Sequence, residues 1–178
     1  MDRLRLAGPV ASGILLLIAV VLAIVGGSGG GRDTPVETIP RIVDVEDLLE
    51  LEESLHHPIY WVGEVPSRRL ELAEEADGSV YLRYLPRGVE AGDPRQLYLT
   101  VGTYPVVDAK AALERTAREN ETPLRRLQSG AFLLPNPTSE GSAYLAYPGD
   151  DLQVEVYDPE PGRAQEMIEA GDVRPVGE

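Results

Sequence analysis

The stretch RRLELAEEADGSVYLRYL, residues 68–85, decides the fold. It contains two runs in which apolar and polar residues alternate, and Asp77-Gly78 separates them. Such alternation is typical of a strand with one buried face, and Asp-Gly is favoured in the tight turns that join antiparallel strands. The stretch therefore predicts a β-hairpin with strands over residues 68–76 and 79–85.

The same pattern continues towards the C-terminus, where the order of elements recurs at low sequence identity. The strings YLRYLP (81–86) and YLAYPG (144–149) echo one another. We interpret the order as two pseudo-repeated βββαβ units, over about residues 68–128 and 130–176, with chance similarity as the alternative. The elements predicted after the first hairpin are a strand at 97–104, a helix at 106–120, strands at 122–128, 130–136, 142–148 and 152–158, a helix at 161–171 and a strand at 172–176.

A helix and a strand precede the hairpin. VDVEDLLELEESL (43–55) has apolar residues on a helical period, with Asp44 as the predicted N-cap and Asp47 three residues later. Pro58 is expected to end this helix, and IYWVGEV (59–65) predicts a strand.

Short turns between most strands favour a mainly antiparallel sheet, so the fold class is α+β with helices on one face of the sheet. Alternation assigns the two faces. The residues predicted to face the helices are Val80, Leu82, Leu99, Val101, Leu145, Leu152, Val154 and Val156. The residues predicted to face solvent are Tyr81, Arg83, Tyr98, Thr100, Tyr144, Gln153 and Glu155.

The N-terminal sequence predicts a membrane anchor. Residues 7–27 carry no charge, and at about 1.5 Å per residue a helix of this length crosses roughly 30 Å of hydrocarbon. A cleaved signal peptide is the alternative. Arg3 and Arg5 before the apolar run favour a cytoplasmic N-terminus, although the charge bias is slight. The predicted organisation is a cytoplasmic tail (1–9), a transmembrane helix (10–27), a flexible linker (28–42) and an extracytoplasmic α+β domain (43–178).

Charge and composition exclude some function classes. The formal net charge of −14 opposes binding to nucleic acid, and the absence of cysteine excludes disulfides, thiolate nucleophiles and thiolate metal sites. The lipid bilayer around residues 10–27 is one predicted partner. An envelope protein or polymer is the other.

His56 and His57, the two histidines of the chain, are adjacent. Neighbouring side chains point about 100° apart on a helix and to opposite faces on a strand, so the pair is poorly placed to share one metal ion. We predict that His56 or His57 supports the end of the helix, and we predict no metal or cofactor.

Signals for catalysis are weak. The carboxylate groups at 74–75, 150–151 and 158–160 fall in predicted turns or strand ends and are interpreted as solvated loop charge. The predicted binding residues are instead Tyr81, Arg83, Tyr98 and Tyr144, because tyrosine and arginine are enriched in protein interfaces. Cross-strand pairing that only stabilises the sheet is the alternative.

Several strings give the chain a resemblance to a family, namely PIYWVGE, YLRYLPRGV, GDPR, YLTVGTYP, YLAYPG and QVEVYDP. Over residues 55–176 the chain resembles a family of uncharacterised single-pass membrane proteins of high-GC actinobacteria. That resemblance implies a membrane location, and the family has no known activity or site residues. More loosely, the predicted architecture is similar to exported binding domains and lipoprotein-carrier-like folds.

The function predicted from sequence is a membrane-anchored, extracytoplasmic and non-catalytic binding or interaction module. An envelope hydrolase using carboxylates and a carrier of an apolar ligand are the alternatives.

Overall fold

The computed structural model describes residues 39–178. The predicted tail, transmembrane helix and most of the linker therefore lie outside the described residues. Within the described part, no helix is long and apolar enough to cross a bilayer.

Ten strands and three helices make up the described residues. In chain order they are β1 (Arg41–Val43), α1 (Val45–Leu55), β2 (Tyr60–Trp61), β3 (Arg68–Glu74), β4 (Val80–Pro86), β5 (Thr100–Pro105), α2 (Ala109–Glu119), β6 (Arg125–Arg126), β7 (Phe132–Pro135), β8 (Ser142–Ala146), β9 (Leu152–Tyr157), α3 (Arg163–Ala170) and β10 (Arg174–Pro175).

The predicted hairpin forms as β3 and β4, which pair antiparallel along their full lengths. Gly78 has φ +85°, which a residue with a side chain rarely adopts, and the Asp77 carboxylate accepts a hydrogen bond from the Ser79 N–H at 2.9 Å. The turn chemistry read from Asp77-Gly78 is therefore confirmed.

Eight strands form one antiparallel sheet in the order β1-β3-β4-β5-β9-β8-β7-β6, and β2 pairs with β10 in a separate two-stranded sheet. The prediction of an α+β fold with a mainly antiparallel sheet is confirmed. β1 begins at Arg41, so the sheet starts two residues before the predicted domain boundary, because residues 41–43 extend its edge beside β3.

The first face of the large sheet carries the main hydrophobic core. Leu82 and Leu145 are 0% and 2% exposed there, beneath Leu48 of α1 and Ile168 of α3. The pair β2–β10 packs on the same face, where the Tyr60 N–H donates to the Thr103 hydroxyl at 3.0 Å. All eight residues predicted to face the helices belong to this core or pack against it.

The second face is not open, which corrects the prediction of helices on one face only. α2 packs there through Ala109, Leu113 and Ala117, against Leu134 of β7 and Tyr144 of β8. The segment between β4 and β5 covers another part of the same face and is held there by hydrogen bonds to Glu71 and Arg83. Alternation alone could not reveal this cover, because polar residues that hydrogen-bond to one another can line a buried surface.

The predicted cap of α1 is also confirmed. Asp44 accepts from the Asp47 N–H at 3.1 Å, and Asp47 accepts from the Asp44 N–H at 3.0 Å, which is a reciprocal capping box. The strand predicted over 59–65 is reduced to Tyr60–Trp61. Gly63, with φ +78°, turns the chain away soon after it.

We expect Leu82→Ala to lower the free energy of unfolding by about 2–5 kcal/mol, because it removes apolar burial and leaves a cavity. Leu97→Ala is the matched control: Leu97 is 58% exposed, so its truncation should cost about 0.5 kcal/mol or less. Denaturant midpoints measure both values. Equal losses for the two variants would contradict the assignment of the core.

Candidate functional site

The four residues predicted to bind a partner, Tyr81, Arg83, Tyr98 and Tyr144, all lie on the second face. Tyr81 and Arg83 come from β4 and Tyr144 comes from β8, while Tyr98 precedes β5. The expectation that they are solvent-exposed is wrong for Tyr98 and Tyr144, which are buried, and Tyr81 and Arg83 are half-buried. They belong to two neighbouring clusters.

The first cluster follows from the strand register. Tyr81 pairs with Gly102, Gly102 with Glu155, and Glu155 with Tyr144, so these four residues lie side by side across four strands. Glu155 is at the centre and is only 4% exposed. The prediction that Glu155 faces solvent is therefore wrong.

Tyr104 connects the members of this cluster. Its side chain folds back over Gly102, two residues earlier on β5, and its hydroxyl donates to Glu155 Oε2 at 3.0 Å. Its ring meets the ring of Tyr81 edge to face, with 5.5 Å between the centroids. A Cβ on residue 102 would lie 2.6 Å from Tyr104 Cζ, so the arrangement requires glycine at this position.

Tyr144 lies beneath α2, and its side chain is buried rather than available for contact with a partner. Its ring packs with Leu113 and the alanines of that helix, and its hydroxyl accepts from Asn136 Nδ2 at 2.9 Å. The hydroxyls of Tyr144 and Ser142 also interact with the Glu155 carboxyl. Three hydroxyls therefore surround this carboxyl.

Burial sets the protonation of the cluster. It raises the pKa of Glu155 above the ordinary value of 4.5, and the surrounding hydroxyls offset part of this rise. Burial also raises the pKa of Tyr81 to about 12 and holds the pKa values of Tyr104 and Tyr144 well above 10. The tyrosines thus keep their protons and act as donors.

The second cluster is a buried ion pair beside the first. Arg83 Nη1 donates to Glu71 Oε1 at 2.7 Å, and the Gly92 N–H donates to the other Glu71 oxygen. Arg83 Nη2 donates to the carbonyls of Asp93 and Arg95, at 2.8 and 3.1 Å. A strand-borne ion pair therefore fixes the segment 87–98, which we call the β4–β5 loop.

Tyr98 is held within this loop. The guanidinium carbons of Arg83 and Arg95 lie 5.2 and 5.8 Å from the centre of its ring. Arg95 also pairs with Asp93, whose pKa is lowered by hydrogen bonds from Arg95. Arg83 and Tyr98, both predicted as contact residues, thus position the loop.

The histidines contact backbone carbonyls. His56 ends α1 in the left-handed region with φ 58°, and its Nδ1 lies 2.9 Å from the Ser54 carbonyl oxygen. His57 Nε2 lies 3.2 Å from the Gly78 carbonyl oxygen in the β3–β4 turn. His56 therefore supports the helix end as predicted. In the part of the chain that the structure describes, no three His, Asp or Glu side chains converge to hold a metal ion.

Two of the acidic turns stabilise local structure. Asp151 accepts from the Asp108 N–H at 2.8 Å, next to the start of α2, and Asp158 accepts from the Glu160 N–H at 2.8 Å. These two aspartates are therefore more than the solvated loop charge expected from sequence.

A surface cleft of about 460 Å³ lies at the C-terminal end of α2. Its walls mix charged and apolar groups, which differs from the apolar cavity that a carrier of an apolar ligand would need. The lining residues are Glu114, Ala117, Arg118, Glu121, Thr122, Pro123 and Leu124.

Comparison of the chain with protein-family models, curated proteins and solved structures found no match.

The sequence reasoning did not select Glu71, Gly102, Tyr104 or Glu155. One signal was present: a glycine inside the predicted strand 97–104 often marks a place where another group approaches the backbone closely. The burial of the two glutamates had no such signal, since glutamate on an alternating strand normally faces solvent.

We expect Gly102→Ala to destabilise the domain by about 1–3 kcal/mol, because the new methyl group displaces Tyr104 from Glu155. The measurement is a double-mutant cycle with Tyr104→Ala, followed by denaturant unfolding. In the Tyr104→Ala background, Gly102→Ala should cost far less. An unchanged cost in that background would show that the ring does not occupy the space over residue 102.

Proposed function

We propose that this chain is a non-catalytic interaction module of the cell envelope, held at the membrane by residues 10–27 with its α+β domain outside the cytoplasm. The uncharged N-terminal run supports the anchor, and the resemblance to single-pass membrane proteins is consistent with it. The nine residues before the run form the cytoplasmic tail in this proposal.

The proposed contact surface is the β4–β5 loop. The main support for this proposal is that the loop combines a backbone held by hydrogen bonds with an exposed apolar side chain. Leu97 is 58% exposed, whereas the loop behind it is fixed by the Glu71–Arg83 pair. A loop already ordered before binding loses little conformational entropy in a complex. Binding loops on rigid scaffolds commonly have this character.

The partner proposed for this surface is an envelope protein with an apolar contact site. Leu97 supplies the apolar contact, and Arg87 and Glu90 supply exposed charges of both signs on the same loop. A mixed rim around an apolar centre is the usual anatomy of a protein interface. Tyr81 remains a proposed contact through its half-exposed ring, while Tyr144 supports the fold from the interior.

The structure offers less support for the hydrolase alternative. A carboxylate that catalyses hydrolysis must reach its substrate, and Glu155, whose pKa is raised by burial, is covered by Tyr104 and Tyr144. The carrier alternative requires space between sheet and helices, where Leu82 and Leu48 are fully buried in side-chain contacts.

A duplication of the three-stranded meander is also proposed. One meander consists of β3, β4 and β5, and the other consists of β7, β8 and β9. They meet at the antiparallel pair β5–β9, which is the arrangement that a two-fold axis normal to the sheet would produce. Such an axis keeps each face on its own side, whereas α2 and α3 pack on opposite faces. The proposal is therefore limited to the meanders.

We expect Leu97→Ser to reduce capture of the envelope partner by about tenfold or more, since it removes the central apolar contact. The full chain, solubilised in mild detergent and tagged at its C-terminus, is the bait in envelope extract. The partner is identified by mass spectrometry with wild-type bait, and its capture is then quantified for each variant.

Val107→Ser is the matched control, because Val107 is an equally apolar side chain that is 84% exposed and lies outside the β4–β5 loop. Its capture should equal that of the wild type. Equal capture by all three baits, with unchanged unfolding midpoints, would remove the loop as the contact surface.

The anchor has a separate test. We expect the full chain to remain in the membrane fraction after carbonate washing, and protease added to spheroplasts should digest its C-terminal domain. Protection of the domain inside sealed spheroplasts would reverse the topology. A soluble mature form that begins near residue 27 would replace the anchor by a cleaved signal peptide.

A further inference from the structure

Among the described residues 39–178, the groups that act on the buried carboxyl of Glu155 are hydroxyls and include no cation. Tyr104 approaches it from β5, and Tyr144 and Ser142 approach it from β8. Tyr81 of β4 adjoins the same cluster through the Tyr104 ring. Each of these groups can donate a proton in a hydrogen bond, and none supplies a positive charge.

The two arginines of the helix over this cluster, Arg115 and Arg118, are exposed to solvent. α2 meets Tyr144 through Ala109, Leu113 and Ala117. The only lysine of α2, Lys110, pairs with Glu114 and lies over the ring of Phe132, 5.0 Å from its centroid. The α3 helix packs on the opposite face of the sheet, so its charges are separated from Glu155 by the sheet itself.

The other buried glutamate of the second face shows the contrast. Glu71 is 1% exposed, and it has both an arginine partner and a backbone donor. A buried carboxylate with a cation is compensated in its charged form, whereas a carboxyl that faces only hydroxyls is better tolerated with its proton. The sheet thus carries one buried carboxyl of each kind.

The protonation of Glu155 is connected to α2 through one residue. Tyr144 is the cross-strand neighbour of Glu155 on the same face of the sheet, and its ring packs beneath α2. A change in the charge of Glu155 therefore acts directly on the side chain that seats this helix.

We propose that Glu155 is a proton-dependent switch for the docking of α2. With its proton in place, the carboxyl and the surrounding hydroxyls keep the second face closed beneath the helix. Loss of that proton places an uncompensated charge under Tyr144 and loosens α2 together with the strands it covers.

The direction of the effect follows from linkage. The folded state holds the Glu155 proton more tightly than the unfolded state, in which the carboxyl titrates near 4.5. As pH rises above that value, the unfolded state ionises first, and the folded state loses stability until Glu155 also ionises. The contribution of Glu155 to stability is therefore complete below pH 4.5 and declines above it.

The test compares thermal unfolding of the full chain in neutral detergent, for the wild type and Glu155→Gln, from about pH 5 to about pH 9. Glutamine keeps the size and hydrogen-bonding capacity of the protonated carboxyl but cannot ionise. The Tm of the variant relative to the wild type should rise with pH, by about 5 °C or more over this range. A difference in Tm that does not change with pH would overturn the proposal.

Hydrogen exchange on the wild type tests the proposal where the variant fails to fold. When the pH is raised, the protection factors of amides in α2 should fall more than those of amides in α3, after correction for intrinsic exchange rates. The expected difference between the two helices is about tenfold or more. The first-face helix α3 is the internal control. Equal changes in the two helices would overturn the assignment of the switch to α2.

Discussion

The hydrogen bond from Tyr104 to Glu155 lies at the pair β5–β9, where the two meanders of the large sheet meet. Its geometry depends on Gly102, since only a residue without a side chain leaves the surface of β5 free for the Tyr104 ring. Tyr144 and Tyr81 then pack around the same ring and carboxyl. The packing of the second face, including the surface on which α2 lies, thus depends on the absence of a side chain at Gly102.

Two buried glutamates on one sheet face serve different purposes because their partners differ. Glu71 pairs with Arg83, and both side chains also form hydrogen bonds with the backbone of the β4–β5 loop. Glu155 has hydroxyls alone, so its charged form is the unfavourable one. The ion pair fixes a loop, while the proposed role of the carboxyl among hydroxyls is to make the structure respond to protons.

These two clusters lie side by side and divide the roles proposed for the domain. In the proposed function, the loop fixed by Arg83 contacts an envelope partner through the exposed Leu97 side chain. The cluster at Glu155 controls how firmly α2 covers the neighbouring strands. A tethered domain with this arrangement would bind through a rigid loop and would respond to pH through a helix elsewhere on the same face.

The sequence by itself determined most of the elements and the composition of the main core, although β1 was not predicted and β2 is shorter than expected. Alternation and turn residues identified the β3–β4 hairpin, and all eight residues assigned to the first face lie in or against the core. This succeeded because apolar burial is decided locally, by the period of two along a strand. Asp44 was recognised as a cap for the same reason, since its partner Asp47 lies three residues away.

Only the tertiary structure decided what covers the second face. Tyr81, Arg83, Tyr98 and Tyr144 were placed on the correct face, but their burial depends on α2 and on the β4–β5 loop. The burial of Glu155 depends on Tyr104 and Tyr144, which the β5–β9 and β8–β9 registers bring beside it. A polar residue on an alternating strand has the same local pattern whether it meets water or a buried hydroxyl, because the partners that make its burial tolerable are distant in sequence.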